Sequence, residues 1–218
     1  MDSLEIDDPL RIPAGRHTLS AEEVARLHRE RLVRAVIACC ARSGYAATTI
    51  ADIVARAEVS RTAFYEQFAS KEECFLGAYG QMAAAMREAV VDSGRHAGTW
   101  QEALDLGIAA YFDWFSERPE VASAFLVEIR VVGGAALEAR ARVLEQMTHR
   151  LRLLGRRARR EQPELPELDG VAYASIIATL DELAHDHVRR GKTARLTELI
   201  DPCQRLARYI FEGKPART

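Results

Sequence analysis

The chain has 218 residues, 48% of them hydrophobic, and a formal net charge of −2 at pH 7. This composition excludes an intrinsically disordered chain, and the length allows a small domain beside a larger one with a sizeable core. No run of about 18 apolar residues occurs, and the acidic N-terminus lacks a signal-peptide pattern, so we expect a cytoplasmic protein without membrane spans.

The chain is predicted to begin with a flexible arm, residues 1–20, because this segment is acidic and contains two prolines. A first helix follows, starting at Ser20 or Ala21 and running to Ser43. Gly44 then supplies a C-cap, since glycine tolerates the backbone conformation that commonly ends a helix.

Three helix starts occur in the next thirty residues. Thr49 is an N-cap residue with Asp52 three positions on, which completes a capping box. Ser60 is a second N-cap, only a tight turn after the preceding helix. Ser70 and Glu73 form another capping box. Two short helices separated by a tight turn are typical of a helix-turn-helix, whose second helix enters the major groove of DNA.

The second helix of this pair has the side chains that base recognition requires. Phe64 and Phe68 are four residues apart and are expected to face inward, whereas Arg61 and Tyr65 lie on a different face beside Thr62. Short or flexible polar side chains in the first turn fit against base edges. The pattern therefore predicts a recognition helix that begins after Ser60.

The motif resembles the N-terminal signature of the TetR (tetracycline-repressor) family of bacterial transcription regulators. The residues that carry the resemblance lie within residues 24–80: Gly44, Thr48, Thr49, Ile53, Ala57, Val59, Ser60, Phe64, Tyr65, Phe68, Ser70, Lys71 and Glu72. One residue departs from the family pattern, because Glu58 occupies a turn position where the family usually has glycine. A non-glycine residue there is costly if the turn needs a positive φ, and it adds a negative charge near DNA.

The resemblance implies double-stranded operator DNA as a partner. Seven side chains are predicted to contact it: Thr49, Arg56, Ser60, Arg61, Thr62, Tyr65 and Lys71. Arg61 and Thr62 are the predicted base readers, Arg56 fits either role, and the other four are assigned to phosphates. For Thr49 and Ser60, capping alone is an alternative. The charge distribution agrees, since residues 11–71 contain ten basic and six acidic residues, a net charge of +4.

The role of the N-terminal arm stays open at this point. Arg11, Arg16 and His17 have the composition of a basic arm that enters the minor groove. A loose tail that packs on the first helix explains these residues equally well.

The rest of the chain also has helical periodicity, and no segment alternates convincingly as a strand. Six further helices are expected: Lys71 to Ser93, one from Trp100 that ends before Pro119, a shorter one that ends at Gly133, Ala136–Arg160, Leu168–Arg190, and about Ala194–Phe211, with a restart near Pro202. The prediction is an all-α protein of about nine helices. It has an N-terminal three-helix helix-turn-helix domain, residues 21–70, and a C-terminal helical ligand-binding and dimerisation domain, residues 71–218.

Aromatic and methionine side chains of the second domain are candidates for a ligand pocket, although most such residues belong to a core. Five are predicted to line it: Trp100, Tyr111, Phe115, Met147 and Tyr173. The resemblance implies a small apolar or amphipathic inducer whose identity the sequence does not specify. The same resemblance implies a homodimer through the last two long helices. Their apolar surface would be supplied by Val171, Ile176, Leu180, Leu183, Leu196, Leu199, Leu206 and Ile210.

Several minor signals have ordinary explanations. Asp181 and His185 lie four apart and suit a shared metal ion, yet a solvated helix face explains them, and neither a metal nor a cofactor is expected. Cys74 follows Lys71 in the first turn of a helix, which favours a lowered pKa and redox sensing, although the adjacent acidic residues oppose this. A run of arginines is either a solvated face or a contact for DNA or an anionic ligand: Arg150, Arg152, Arg156, Arg157, Arg159 and Arg160.

The sequence as a whole predicts a ligand-responsive homodimeric repressor that an inducer releases from its operator. A helix-turn-helix regulator that senses thiol oxidation, a metal or a protein partner is the alternative. An enzyme is not expected, because no phosphate loop, nucleophile elbow or paired-histidine motif is present.

Overall fold

The computed structural model describes residues 20–213, and within them the regular structure is entirely helical. The nine α-helices of this part of the chain are α1 (Ala21–Ser43), α2 (Ile50–Ala57), α3 (Arg61–Gln67), α4 (Lys71–Ser93), α5 (Trp100–Ser116), α6 (Pro119–Ala122), α7 (Gly134–Glu161), α8 (Gly170–Arg189) and α9 (Ile200–Glu212). The all-α prediction is confirmed. Residues 1–19 of the predicted arm, with Arg11, Arg16 and His17, lie outside the described residues.

The helix starts follow the caps that the sequence predicts. Thr49 Oγ1 accepts from the Asp52 amide at 3.2 Å, and the Asp52 carboxylate accepts from the Thr49 amide at 2.8 Å. Ser60 Oγ accepts from the backbone N–H of Ala63 at 3.0 Å. Because these side chains satisfy amides that have no partner inside the helix, α2 and α3 begin at the predicted residues.

The capping box predicted at Ser70 and Glu73 differs from the prediction. Ser70 Oγ accepts from the Glu73 amide at 3.1 Å, as expected. The Glu73 carboxylate, however, accepts from the amide of Ala69 at 2.6 Å, one residue before the cap. Ser70 therefore caps α4 as predicted, but the Glu73 carboxylate binds the amide of Ala69 instead of the amide of Ser70.

Two predicted helices in the second half have a different local structure. The short helix expected before Gly133 is only α6, followed by a π-helical turn, Ser123–Val127, and a 3₁₀ turn, Glu128–Arg130. The helix expected over 194–211 begins as a 3₁₀ segment, Thr193–Leu199, and continues as α9 from Ile200, close to the restart expected near Pro202. Pro202 lies in the first turn of α9, where its missing N–H breaks no intrahelical bond.

A continuous core joins the helix-turn-helix to the rest of the molecule. Leu32, Ile53, Phe64 and Phe75 are all completely buried, and they bring α1, α2, α3 and α4 together. Burial of each side chain of this size contributes about 1.5–3 kcal/mol. Helix α4 packs on α1 at its beginning and on α5 further along, so it is shared between the two predicted domains. The boundary between residues 70 and 71 stays a prediction.

None of the helices in residues 20–213 has the length and apolar character that a membrane span requires.

Glu58, in the turn between α2 and α3, has the positive φ that is costly for a non-glycine residue. Its backbone is left-handed, with φ 51° and ψ 42°, and among the described non-glycine residues it alone has a positive φ. The Glu58 carboxylate accepts from the Arg31 guanidinium of α1 at 3.0 Å, although the Glu58 side chain is 80% exposed. The ion pair therefore compensates only part of the conformational cost.

The Glu58→Gly variant is expected to be more stable than the wild type by about 0.5–1 kcal/mol. Left-handed backbone costs a non-glycine residue about 1–2 kcal/mol. The ion pair to Arg31 contributes less than about 1 kcal/mol, because its carboxylate is 80% exposed even though the guanidinium is 13% exposed. Urea unfolding measures the difference. Glu58→Gln is the control, because it removes only the charge; a glycine variant no more stable than this control contradicts the explanation.

Candidate functional site

The N-terminal half of α3 presents an exposed polar surface. Arg61, Thr62 and Tyr65 are exposed on it, and Tyr65 retains 48% of its accessible surface although it is aromatic. The Arg61 guanidinium lies 3.4 Å from the Tyr65 hydroxyl and 5.7 Å from the centre of its ring. Phe64, on the opposite face, is completely buried. Burial of that face fixes α3 to the core and leaves Arg61 and Thr62 free to reach base edges.

The neighbouring predicted residues are also at the surface. Thr49, Arg56 and Ser60 are exposed, and both hydroxyl groups act as caps. A capping hydroxyl can also donate to a phosphate, so the two roles are compatible. The DNA contacts of these residues stay predictions.

Lys71 has a structural role that the sequence did not reveal. Its ammonium donates to the carbonyl oxygens of Tyr45 and Thr48, at 2.8 and 2.7 Å, and lies 4.0 Å from the centre of the Tyr45 ring. These contacts tie the start of α4 to the turn between α1 and α2. The phosphate contact of Lys71 stays a prediction. Only one of the three ammonium N–H groups is left for it, because the other two donate to carbonyl oxygens.

Glu128 contacts the same turn from the second half of the chain. Its Oε2 accepts from the backbone N–H of Tyr45 at 2.6 Å. This residue was missed by the sequence analysis, since the two positions are 83 residues apart and no local pattern connects them. The turn before α2 is therefore held by Lys71 on one side and by Glu128 on the other.

A buried ionic cluster lies two residues further along, at Arg130. Asp181 is 4% exposed, and its carboxylate accepts from Arg130 at 3.0 Å and from Arg140. Arg130 also pairs with Glu182 at 2.9 Å, and this hydrogen bond holds the pKa of Glu182 below its usual value. The charge of Asp181 is thus matched by two guanidinium groups, as a buried carboxylate requires.

The two residues of α8 that suited a shared metal ion, Asp181 and His185, have separate partners. Asp181 faces the two arginines, while His185 lies 3.3 Å from Glu182. Across residues 20–213, no group of three or more potential ligand side chains is placed to hold a metal ion. Asp181 and His185 are four residues apart on α8, but the Asp181 carboxylate pairs with arginines from other elements, and the His185 imidazole lies next to Glu182.

An apolar cavity of about 360 Å³ lies between α4, α5, α7 and α8. Its walls include Tyr111 and Met147, two of the predicted ligand residues, together with Met86 of α4. Three arginines also line it: Arg87, Arg150 and Arg157. An apolar cavity with a few charged groups is typical of a small-molecule site. Ligand contact at Tyr111 and Met147 stays a prediction.

The other predicted ligand residues lie elsewhere. Trp100 is completely buried, stacks on Phe211 with ring centres 5.2 Å apart, and donates from Nε1 to Gln162 at 3.0 Å. Phe115 is also completely buried and packs edge-on against Tyr111. Both are core residues that do not line the cavity. Tyr173 lines a different pocket, next to an arginine cluster.

The cysteine residues lack the properties of a redox sensor. Cys39, Cys40, Cys74 and Cys203 are all buried and unpaired with one another. Burial raises the pKa of Cys74 to about 12, the opposite of the lowered pKa that its position after Lys71 suggested. Because the thiolate is the reactive form, Cys74 is a poor nucleophile at neutral pH.

Capped short helices, an exposed polar recognition helix and a buried opposite face define a helix-turn-helix DNA-binding protein. Residues 32–78 match the family model described as bacterial regulatory proteins, tetR family. No curated protein matches the chain significantly.

Solved structures with the same fold cover nearly the whole chain. The fatty acid degradation regulator FadR from Bacillus halodurans is 20% identical with a TM-score of 0.77, covering 87% of this chain and 97% of that one. FadR from Bacillus subtilis, in complex with stearoyl-CoA, is 18% identical with a TM-score of 0.75 and coverage of 85% and 98%. A TetR transcriptional regulator from Chloroflexus aurantiacus J-10-FL is 25% identical with a TM-score of 0.67 and coverage of 86% and 96%. The helix-turn-helix segment is therefore similar in sequence to TetR-family regulators, and the fold of the chain is the one seen in these solved regulators.

Proposed function

We propose that the protein is a homodimeric repressor that binds operator DNA and is released from it by an amphipathic ligand. The observation that carries this proposal is the coexistence of an exposed recognition helix and an apolar cavity, joined by α4. Met86 and Val90 of α4 line the cavity, while Cys74 and Phe75 of the same helix are buried in the core that contains Phe64. A ligand that shifts α4 would therefore shift the recognition helix.

The exposed apolar side chains of α8 and α9 support a dimer through these helices. Val171 is 72% exposed, Leu206 39% and Tyr209 43%, so apolar surface on both helices is available to a second protomer. Ile176, Leu180 and Leu196, also predicted for the interface, are buried within the protomer. A two-fold axis through α8 and α9 would place two copies of α3 for successive half-sites of the operator.

We propose a long-chain acyl-CoA as the ligand. The Bacillus subtilis FadR fold, seen with stearoyl-CoA, makes this class the first to test. The cavity provides apolar walls for an acyl chain, and Arg87 and Arg150 provide positive charge for an anionic head group. Within residues 20–213 neither of these guanidinium groups has an ion pair, so both are available to phosphate or carboxylate oxygens.

Calorimetric titration of the full-length protein with stearoyl-CoA tests the ligand, and stearate tests the need for the head group. Stearoyl-CoA is expected to bind, and Arg87→Gln/Arg150→Gln is expected to weaken it about tenfold or more, because charge-assisted hydrogen bonds are lost. Arg189→Gln/Arg190→Gln, with the same charge change on exposed residues, is the matched control. Equal binding by all three proteins, or no binding by the wild type, contradicts this ligand assignment. Light scattering in the same samples measures the expected dimer.

Glu128 is proposed to transmit part of the ligand signal to the turn before α2. Glu128→Ala is expected to leave the affinity of the DNA-free protein for stearoyl-CoA unchanged. The ligand-induced loss of operator affinity is expected to shrink about fivefold, since the hydrogen bond from the Tyr45 amide to Glu128 joins this turn to the second half of the chain. Operator binding measured by fluorescence anisotropy, with and without stearoyl-CoA, gives this coupling directly.

The control for this variant is Glu120→Ala, which removes an exposed carboxylate from α6 in the same region. It is expected to keep the full ligand response. If Glu128→Ala also keeps it, then α4 alone carries the signal and the proposed role of Glu128 is wrong.

A further inference from the structure

A second pocket lies on the opposite side of α7, between its C-terminal half and the start of α8. It encloses about 630 Å³ and is lined by four arginines: Arg152, Arg156, Arg159 and Arg160. The apolar cavity uses Arg150, Leu154 and Arg157 of the same helix. Helical spacing separates these two sets of side chains by roughly half a turn around α7, so the two pockets open on different faces.

The positive charge of this pocket is largely uncompensated. Its one lining carboxylate is Glu167, which lies 3.4 Å from Arg159 in an exposed pair. For Arg152, Arg156 and Arg160, the described part of the chain provides no ion pair or hydrogen-bonded acceptor. Four guanidinium groups that converge on a concave surface repel one another and concentrate a positive potential there, which favours an anion.

A tyrosine hydroxyl group lies in the wall of the pocket. Tyr173 lines the pocket and is 7% exposed as a residue, and its hydroxyl forms no hydrogen bond within residues 20–213. Burial raises the pKa of Tyr173 while the nearby guanidinium groups of Arg159, Arg152 and Arg156 lower it, and the net shift is upward. The hydroxyl is therefore a neutral donor at physiological pH, without an acceptor among the residues around it.

Two glycines keep this arrangement open. A Cβ added at Gly155 would lie 2.0 Å from the Tyr173 hydroxyl oxygen, and one added at Gly170 would lie 2.9 Å from a guanidinium nitrogen of Arg152. A side chain at Gly155 would thus displace the hydroxyl from α7. Small residues at these two positions let a donor group and an arginine approach the helix backbones closely.

We propose that this pocket binds a small organic anion with two or more phosphate groups, of the nucleoside diphosphate class. One guanidinium group can donate two parallel hydrogen bonds to a phosphate. Arg152, Arg156 and Arg160 together therefore suit adjacent phosphates. The Tyr173 hydroxyl donates to one of the same oxygens. The volume accommodates more than a single inorganic anion. The pocket lies on α7 and α8, not on α1, α2 and α3, the three helices that form the DNA-reading head. The site does not depend on the identity of the ligand in the apolar cavity.

Calorimetric titration of the full-length protein with ADP, and separately with inorganic pyrophosphate, tests the site. Both are expected to bind, more weakly as sodium chloride is raised. Arg156→Gln/Arg160→Gln is expected to weaken binding about tenfold or more, and Tyr173→Phe about fivefold through loss of one hydrogen bond. The matched control is Arg189→Gln/Arg190→Gln, which changes the charge equally at exposed positions and is expected to bind as the wild type does.

Three outcomes would overturn the proposal. The first is no heat with either anion in the wild-type protein. The second is an equal loss of binding in the control variant, which would mean that only net charge matters. The third is a loss in Arg87→Gln/Arg150→Gln as large as that in Arg156→Gln/Arg160→Gln, which would place the anion at the apolar cavity. Circular dichroism and light scattering of each variant establish that the fold and oligomeric state are intact before binding is compared.

Discussion

Replacement of Arg61 by alanine is expected to weaken binding to the specific operator by about ten- to a hundredfold, while binding to random DNA falls by less than about threefold. Arg61 is the first residue of α3, and its exposed guanidinium is oriented by the Tyr65 hydroxyl at 3.4 Å. A base-reading arginine contributes mainly to discrimination, whereas a phosphate-binding residue contributes to all sequences alike. Fluorescence anisotropy with operator and random duplexes at one salt concentration measures both affinities.

The control for Arg61 is Arg26→Ala, which removes an exposed positive charge from α1 in the same domain. It is expected to change the two affinities by the same small factor. An equal weakening of specific and random binding by Arg61→Ala would show that Arg61 contacts phosphates, and the base-reading assignment would then be wrong.

Asp181→Asn is expected to lower the free energy of unfolding by about 3 kcal/mol. Asparagine keeps the shape but removes the charge that balances Arg130 and Arg140, and both of those side chains are only 23% exposed. Removal of one partner from a buried ion pair costs about 3–5 kcal/mol, and the partial exposure of the arginines places the effect at the lower end. Urea unfolding followed by circular dichroism measures the change.

Glu182→Gln is the matched control, because Glu182 pairs with the same Arg130 but its side chain is 62% exposed. Its effect is expected to stay below about 1 kcal/mol, as for other exposed ion pairs. If both variants lose the same free energy of unfolding, burial does not determine how much each carboxylate stabilises the fold, and the explanation for Asp181 is wrong.

The DNA-reading head was predictable because its signals are local. Thr49, Ser60 and Ser70 each cap a helix through an amide three residues away, so sequence spacing alone locates the starts of α2, α3 and α4. The conformational question at Glu58 was also visible, because the family pattern that the sequence resembles usually has glycine at this position, and Glu58 does have a positive φ.

The contacts that join the two parts of the protein were not predictable from local patterns. Glu128 meets Tyr45 across 83 residues, and Arg130 meets Asp181 across 51. The sequence alone made Asp181 a candidate metal ligand because it does not show that Arg130 and Arg140 lie next to this carboxylate in the fold. Lys71 is a similar case, since its position suggests DNA but its ammonium binds two carbonyl oxygens.

The helical spacing of apolar residues also does not distinguish residues that line a cavity from residues that pack in the core. Tyr111, Phe115 and Trp100 are all buried residues of α5, yet only Tyr111 of these three lines the apolar cavity. The difference arises from how α9 and the end of α7 cover Trp100, through Phe211 and Gln162. Packing of distant elements, which leaves no mark in a local pattern, decides this assignment.

The central claim is that one chain both reads an operator and releases it in response to an amphipathic ligand. Selection of bound sequences from random DNA, followed by anisotropy titration of the selected duplex with and without stearoyl-CoA, tests it most directly. The account predicts selection of a two-fold symmetric site and at least a tenfold loss of affinity when the ligand is present. Selection of no preferred sequence, or an operator affinity that stearoyl-CoA leaves unchanged, would contradict it.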